Sequence, residues 1–316
     1  MHAAIIAEDF AGMRSQGRGL AERAGFSWAF HPVVINKEKL VSRLPVRFWP
    51  HALGLFAPFN LAPSTRLIIS VGGKGAVAGA ALGKHYGLPV VQIQHPRAKL
   101  SPFALVVASQ HDRLVGPNVL SVRTAMHDAT PARLDQAVGQ WQECIRAGAQ
   151  QVLGVLIGGS NGRYRLEEAE AVALSDELAA FMRLTNARCV LTPSRRTSRR
   201  ALAVFQERLA PLGAVVMEGD GGENPYMGVL ACSDVLAVTQ DSVSMMSEAV
   251  ATEKPVCILP LKGRSSRIER FVTILEKAGR VQSSLRNISF MPCERLDDTT
   301  LAADEIHHRI QFSQEG

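Results

Sequence analysis

Aromatic side chains make up only 6% of the 316 residues, and neither a lysine-rich tail nor a regular basic stripe runs along the chain. That scarcity argues against a nucleic-acid duplex as partner. The five cysteines (Cys144, Cys189, Cys232, Cys257 and Cys293) lie far apart, with no Cys-x-x-Cys pair and no histidine at ligand spacing. A structural zinc site is therefore not expected, and a reduced cytoplasmic protein is. The longest apolar stretch, Val46 to Pro63, is interrupted by Pro50 and Pro58 and carries His51, so no bilayer span is expected. The first strand runs straight into Glu8-Asp9, where a signal peptide would still be apolar, so no secretion signal is expected either. Gly72-Gly73-Lys74-Gly75 matches neither the dinucleotide fingerprint nor Walker A, because its third glycine comes too soon and no Lys-Ser/Thr pair follows. No internal repeat points to a solenoid, and no metal or cofactor is called for.

What is present is charge in clusters and a regular alternation. The net charge of +6 comes mostly from arginines gathered in expected loops, Arg14 with Arg18, Arg195 with Arg196, Arg199 with Arg200, and Arg264 with Arg267. Such pairs suit a small polyanion. Apolar residues at 47% are ample for burial, and the length predicts two domains. Strands are predicted at Ala3–Ala7, Ser27–Ile35, Leu67–Val71, Pro89–Gln94, Ala104–Ala108 and Val119–Val122, then at Val152–Ile157, Arg188–Thr192, Ala214–Met217, Val235–Val238 and Val256–Leu259. Helices alternate with them, among them Arg14–Ala24, Gly75–His85, Leu166–Leu184, Ser198–Leu209, Val243–Ala251 and Arg267–Ala278. This pattern is α/β: two Rossmann-like domains with parallel sheets facing across a cleft. The expected boundaries are 1–130, a connecting helix at 131–150, and 151–316, whose last helix packs back on the first domain.

Ligands in such sheets sit at the carboxyl ends of the strands, where the unusual residues fall. Asn224-Pro225-Tyr226 precedes an apolar strand, the turn Thr239-Gln240-Asp241-Ser242-Val243-Ser244, and Glu248. A helix opening at that turn presents unpaired N–H groups suited to phosphate, and Glu248, about one helical turn beyond Ser244, is placed to hold a ribose diol. The plainer alternative makes Asp241 and Ser242 helix caps and Glu248 a solvated residue. Asp241 would repel a diphosphate, so it must turn outward, cap the helix, or hold a cation. Gly158-Gly159-Ser160-Asn161 at another strand-to-helix turn, and Ser194-Arg195-Arg196 at a third strand end, supply further phosphate contacts. In the first half Lys74 is a candidate phosphate contact beside a tight turn. His95, the His111-Asp112 pair and Asp9 compete for the role of general base at the rim.

Glu8-Asp9-Phe10-Ala11-Gly12 through Gln16, Gln92-Ile93-Gln94-His95-Pro96-Arg97, His111-Asp112-Arg113, Gly116-Pro117-Asn118-Val119, Ser194-Arg195-Arg196-Thr197, Asn224-Pro225-Tyr226 and Thr239 to Met245 together resemble the family of the plant mitochondrial fission factor "elongated mitochondria". The resemblance covers nearly the whole chain, and departs from the family at Glu8-Asp9, where a small polar residue followed by glycine is usual. The second half is more distantly similar to GT-B glycosyltransferases, especially the enzyme that adds N-acetylglucosamine in lipid II synthesis. Gly158-Gly159-Ser160-Asn161-Gly162 matches that family's Gly-Gly-Ser turn, and Ser233 to Val256 its nucleotide-sugar segment, which implies a ribose-binding role for Glu248. Asp241-Ser242 and Met245 depart from it. The resemblance implies a GT-B-like fold, a nucleotide diphosphate-sugar as ligand, and metal-independent glycosyl transfer. A non-catalytic scaffold that recruits a protein partner and a sugar-nucleotide epimerase are the alternatives. The partner protein is unknown, and the segment Phe48 to Phe59 is a candidate for peripheral membrane or lipid-acceptor contact, with core packing as its alternative.

Overall fold

Two six-stranded parallel sheets, each wrapped by helices, make up the computed structural model, which describes residues 1–36, 44–45, 48–219 and 223–312. The first compact unit comprises residues 1–128 and 297–316, and the second residues 129–296.

In the first unit the strands are β1 (His2–Ala7), β2 (Ser27–Pro32), β3 (Thr65–Val71), β4 (Val90–Ile93), β5 (Leu105–Ser109) and β6 (Val119–Val122), in the order β2-β1-β3-β4-β5-β6. A sheet covered on both faces needs apolar side chains on both, so its strands read as continuous apolar runs. β1 does so, and its residues divide by period two. Ala3, Ile5 and Ala7 join Leu67 and Ile69 under α1 (Ala11–Arg23) and the last helix. Ala4, Ile6 and Ile68 join Ala76, Val77 and Ala80 of α2 (Gly72–Tyr86) on the opposite face. β2 stops at Pro32, short of the expected Ile35; Val33 still donates to the Ala7 carbonyl at 2.8 Å, and Ile35 instead makes an isolated bridge to Phe56. α2 begins earlier than expected, at Gly72, whose φ of +74° makes the turn out of β3, while Gly73, Lys74 and Gly75 form the first helical turn. Of the apolar stretch 46–63, residues 46 and 47 lie outside the described residues. Trp49, Leu55 and Phe56 are buried against the α2 face, and Phe48 is exposed. No helix among the described residues is long and apolar enough to cross a membrane.

The second unit opens with α3 (Pro131–Arg146), capped by Thr130 and started by Pro131. It continues with β7 (Val152–Ile157), β8 (Tyr164–Arg165), α4 (Glu168–Thr185), β9 (Arg188–Pro193), α5 (Arg199–Leu209), β10 (Val215–Val216), α6 (Tyr226–Cys232), β11 (Val235–Thr239), α7 (Val243–Val250), β12 (Val256–Leu259), β13 (Lys262–Gly263), α8 (Ser266–Lys277) and β14 (Val281–Gln282). The main sheet runs β10-β9-β7-β11-β12-β14, the doubly-wound order, and β8 pairs with β13 in a separate antiparallel ribbon. α3 packs against α6 within this unit.

The chain leaves the first unit after Asp128 and returns at Asp297, where α9 (Asp298–Arg309) packs on α1. Within the first unit both crossing points are pinned by charge. Asp297 lies 3.2 Å from His127 Nε2 and 2.7 Å from Arg23, Asp298 lies 2.7 Å from Arg123, and Asp128 pairs with Arg18. Burial alone would raise the Asp297 carboxyl. The hydrogen bond and charge of His127, with Arg23 and the Thr299 N–H, outweigh that and hold it well below the usual carboxylate range.

Candidate functional site

The loops after β7, β9 and β11 meet at the carboxyl edge of the second sheet and are bonded to one another. Asp241 is the centre. Its carboxylate receives the Thr239 hydroxyl at 2.7 Å and the Gly159 N–H at 3.2 Å, and it pairs with the Arg196 guanidinium at 2.6 Å. Arg196 also donates to the Gly159 carbonyl at 3.1 Å, Thr239 accepts from the Gly158 N–H at 2.7 Å, and Thr197 donates to the Gly158 carbonyl. Of the roles open to Asp241, the one realised is to hold a cation, and that cation is an arginine of the same chain. No side chain fits where these loops touch: a Cβ on Gly159 would stand 2.1 Å from the Arg196 carbonyl oxygen, and one on Gly158 would stand 2.2 Å from Asp241 Oδ1. The two glycines thus serve close approach between loops, and their N–H groups are already bonded within the protein. Ser194 closes its own turn, accepting from the Arg196 N–H at 3.2 Å. Arg195 is exposed and has no ion-pair partner among the described residues.

Ser160 and Asn161 organise the next few residues. Ser160 donates to Glu167 at 2.9 Å and accepts from the Leu166 N–H at 2.9 Å, while Asn161 Oδ1 accepts from the N–H groups of Arg163 at 2.8 Å and Tyr164 at 2.9 Å. That Asx turn aims the chain into β8, where Tyr164 is buried and the flanking Arg163 and Arg165 are exposed, as strand alternation requires. Across the ribbon Gly263 adopts φ +140°, and a Cβ there would meet the Arg163 carbonyl at 2.1 Å, so only glycine brings Arg264 alongside Arg163. Asn161, Gly162, Arg163 and Arg264 line a cavity of about 630 Å³ in the loops that follow β7 and β12. Arg163 makes no ion pair among the described residues, and Arg264 reaches only Glu269, at 3.7 Å and largely exposed. Neither arginine stood among the residues singled out for the site. Arg163 directly follows the glycine-rich turn and Arg264 stood only among the clustered loop arginines; the β8–β13 ladder is what brings them together.

Glu248 is not solvated. It is 6% exposed on α7 and accepts a hydrogen bond from the Tyr226 hydroxyl of α6. Burial first, then the Glu248 charge and that bond, push the Tyr226 phenol well above its usual value, so it remains a donor. Asn224 supports the pair by accepting from the Tyr226 N–H at 3.0 Å. Ser242 caps α7 by accepting from the Met245 N–H at 3.4 Å, and Ser244 is half-buried in its first turn. The Cys189 and Cys257 thiols are pushed up to about 12 by burial and supply no thiolate.

The first-unit candidates separate. His95, Lys74, Glu8 and Arg97 line one cavity of about 620 Å³. Lys74 pairs with Glu8 at 2.6 Å, and Asp9 turns away to Arg14, at 2.5 Å. The Arg97 N–H donates to His95 Nδ1 at 2.9 Å, which fixes the proton of the neutral ring on Nε2 and makes that nitrogen a donor rather than a base. His111 does not stand at a rim. It is 3% exposed, folded inward by the turn after β5, with Nδ1 2.5 Å from the Ser109 hydroxyl and Nε2 3.7 Å from Asp112.

A family model described as Mitochondrial fission ELM1 matches residues 11–310. Over 250 residues the chain is 29% identical to the mitochondrial fission protein ELM1 of Arabidopsis thaliana, covering 70% of this chain and 58% of the plant protein. It therefore spans less than two thirds of that relative's length. It is also 22% identical over 272 residues to an uncharacterized protein of Rickettsia prowazekii, covering 76% of this chain and 72% of that one. Among solved structures it is similar to a UDP-GlcNAc 2-epimerase from Neisseria meningitidis bound to UDP-GlcNAc, with TM-score 0.53 at 11% identity over 98% and 99% of the two chains. A second is the S. aureus MnaA–UDP co-structure, with TM-score 0.52 at 13% identity over 97% and 88%. At such identities the likeness is one of fold, and the fold is GT-B-like. With the family match extending over nearly the whole sequence, the chain belongs to the mitochondrial fission ELM1 family.

Proposed function

We propose that the protein binds a nucleotide diphosphate-sugar at the carboxyl edge of the second unit's sheet and acts on it as a metal-independent glycosyltransferase. One observation carries this reading: Arg163, just before β8, and Arg264, just after β13, flank the ribbon at one end and line the same cavity with little internal carboxylate to satisfy them. Two adjacent guanidiniums suit a diphosphate, bind it bidentately, and stabilise the charge that builds on it when the glycosidic bond to phosphate breaks. The bound nucleotides of the epimerase and MnaA structures support the same ligand class on this fold. Arg195, Ser242 and Ser244 are proposed as secondary contacts and Glu248, steadied by Tyr226, as the ribose acceptor.

Calorimetric titration with a panel of nucleotides and nucleotide-sugars tests the reading. The wild-type chain should bind at least one of them, and Arg163→Ala with Arg264→Ala should weaken that binding by about 30-fold or more, about 2 kcal/mol, without lowering the melting temperature. Mass spectrometry of the incubated donor then separates transfer from epimerisation. One specific observation favours a scaffold instead: the Gly158 and Gly159 N–H groups, the natural diphosphate cradle, are closed off by Thr239 and Asp241. A chain that binds none of the panel supports that second reading.

A further inference from the structure

The cavity of the first unit lies where its sheet changes direction. Glu8 follows β1, Gly73 and Lys74 follow β3, and His95, Arg97 and Ala98 follow β4; these residues, with Pro45, enclose about 620 Å³. In the order β2-β1-β3-β4-β5-β6 the reversal falls between β1 and β3. Open parallel sheets take their ligands outside the carboxyl ends of the strands at such a reversal.

The lining is rich in donors. Arg97 has no carboxylate partner among the described residues, Lys74 is shared with Glu8 at 2.6 Å, and His95 presents Nε2–H because Nδ1 accepts from the Arg97 N–H at 2.9 Å. Against a guanidinium, an ammonium and an imidazole N–H stands one carboxylate, already engaged. The loop carrying two of these donors is held in a costly shape: Gln94 and Arg97 adopt φ +72° and +57°, values that non-glycine residues avoid. Gln92 pins it by donating to the carbonyls of Gly72 at 3.2 Å, Ile93 at 2.6 Å and Gln94 at 3.2 Å, and the Gln94 side chain donates to Gln16 at 3.1 Å.

We infer that this cavity binds a phosphomonoester, whose three terminal oxygens can be shared among Arg97, Lys74 and His95. The site uses none of the residues of the donor cavity, and its occupancy does not require nucleotide binding there. Phosphomonoesters occur both on small metabolites and as the headgroup of phosphatidic acid, so two probes are needed.

Calorimetry of the full chain at low salt with glycerol 3-phosphate, and co-sedimentation with phosphatidylcholine vesicles containing phosphatidic acid, supply them. The comparison in both arms is between wild type and Arg97→Gln, which keeps the backbone requirement at position 97 and should leave the melting temperature unchanged. Binding in at least one arm should fall about tenfold or more in Arg97→Gln. Nucleotide affinity should be unchanged in that variant, and Arg163→Ala with Arg264→Ala should leave the phosphomonoester response intact. Loss in the calorimetric arm identifies a soluble ligand, and loss in the vesicle arm alone identifies the lipid. Equal binding by wild type and variant in both arms, or no binding by the wild type in either, overturns the assignment, whatever the nucleotide panel shows.

Discussion

The two carboxyl edges of this protein spend their polar residues differently. In the second unit Thr239, Asp241, Arg196 and Thr197 bond to one another and to Gly158 and Gly159, so the turns richest in glycine and hydroxyls are closed. The arginines beyond them are less engaged: Arg163 and Arg195 have no ion-pair partner among the described residues, and Arg264 lies 3.7 Å from an exposed Glu269. In the first unit the corresponding loops make fewer cross-links, and Lys74, His95 and Arg97 line a cavity directly. Glycine and serine at these strand ends therefore serve loop packing, whereas Arg163, Arg195 and Arg97 beside them have no carboxylate partner among the described residues.

The sharpest way to break this contrast is to force the closed edge open. In Gly159→Ala the new Cβ would stand 2.1 Å from the Arg196 carbonyl oxygen and 2.7 Å from the Thr197 nitrogen, both backbone atoms that no rotamer change can move. A loss of about 3 kcal/mol or more in chemical denaturation is expected. Gly162→Ala, with open space around its Cβ position, should cost less than about 1 kcal/mol and serves as the control. Similar stabilities for the two variants would mean that the Gly158–Gly159 turn is loose enough to serve as a cradle after all.

Next in size is Glu248. The sequence position alone suggests a crevice residue whose removal spares the fold, but burial against Tyr226 predicts otherwise. Glu248→Ala leaves a buried phenol without its acceptor and should cost about 2 kcal/mol of stability. Glu248→Gln keeps an acceptor for Tyr226 and should largely retain the fold. If the carboxylate also holds a ribose, the glutamine variant should lose nucleotide affinity by about tenfold, the weight of one charge-assisted bond. Unchanged affinity in Glu248→Gln would reduce Glu248 to a packing role.

These cases show which parts were legible in advance. The parallel strands were, because runs such as Val152–Ile157 are apolar on both faces and only a doubly covered sheet accepts that. β8 and β13 were not. Tyr164-Arg165 and Lys262-Gly263 carry no period of their own, and their pairing depends on a left-handed glycine whose need appears only once the chains are side by side. The glycine-rich turn after β7 was visible as a turn, but its closure by Asp241 was not, since the sequence left three roles open for that carboxylate. Likewise the order of the chain says nothing of the Tyr226 hydroxyl of α6 reaching the buried Glu248 of α7.

The smallest expected effect concerns acid, and it sharpens the contrast at the level of whole units. Asp297 is held below its ordinary value of 3.8, chiefly by His127 and Arg23 against the opposing effect of burial. A carboxylate depressed in the folded state contributes stability that is fully present above its unfolded value. That contribution is lost as pH falls below the ordinary value towards the lower folded one. Asp297 belongs to the first unit and caps α9, accepting from the Thr299 N–H at 3.0 Å, so the loosening should begin at α9 and at its partner α1. Hydrogen exchange read by mass spectrometry after equilibration at pH 6 and at pH 3 should show protection falling there before it falls in α3 and α6. In Asp297→Asn, which keeps a capping oxygen but cannot ionise, the first unit should exchange faster at pH 6 and change less on acidification. Equal loss of protection in both units would place the acid-sensitive carboxylates elsewhere and remove the crossing-point cluster as the weak point of the first unit.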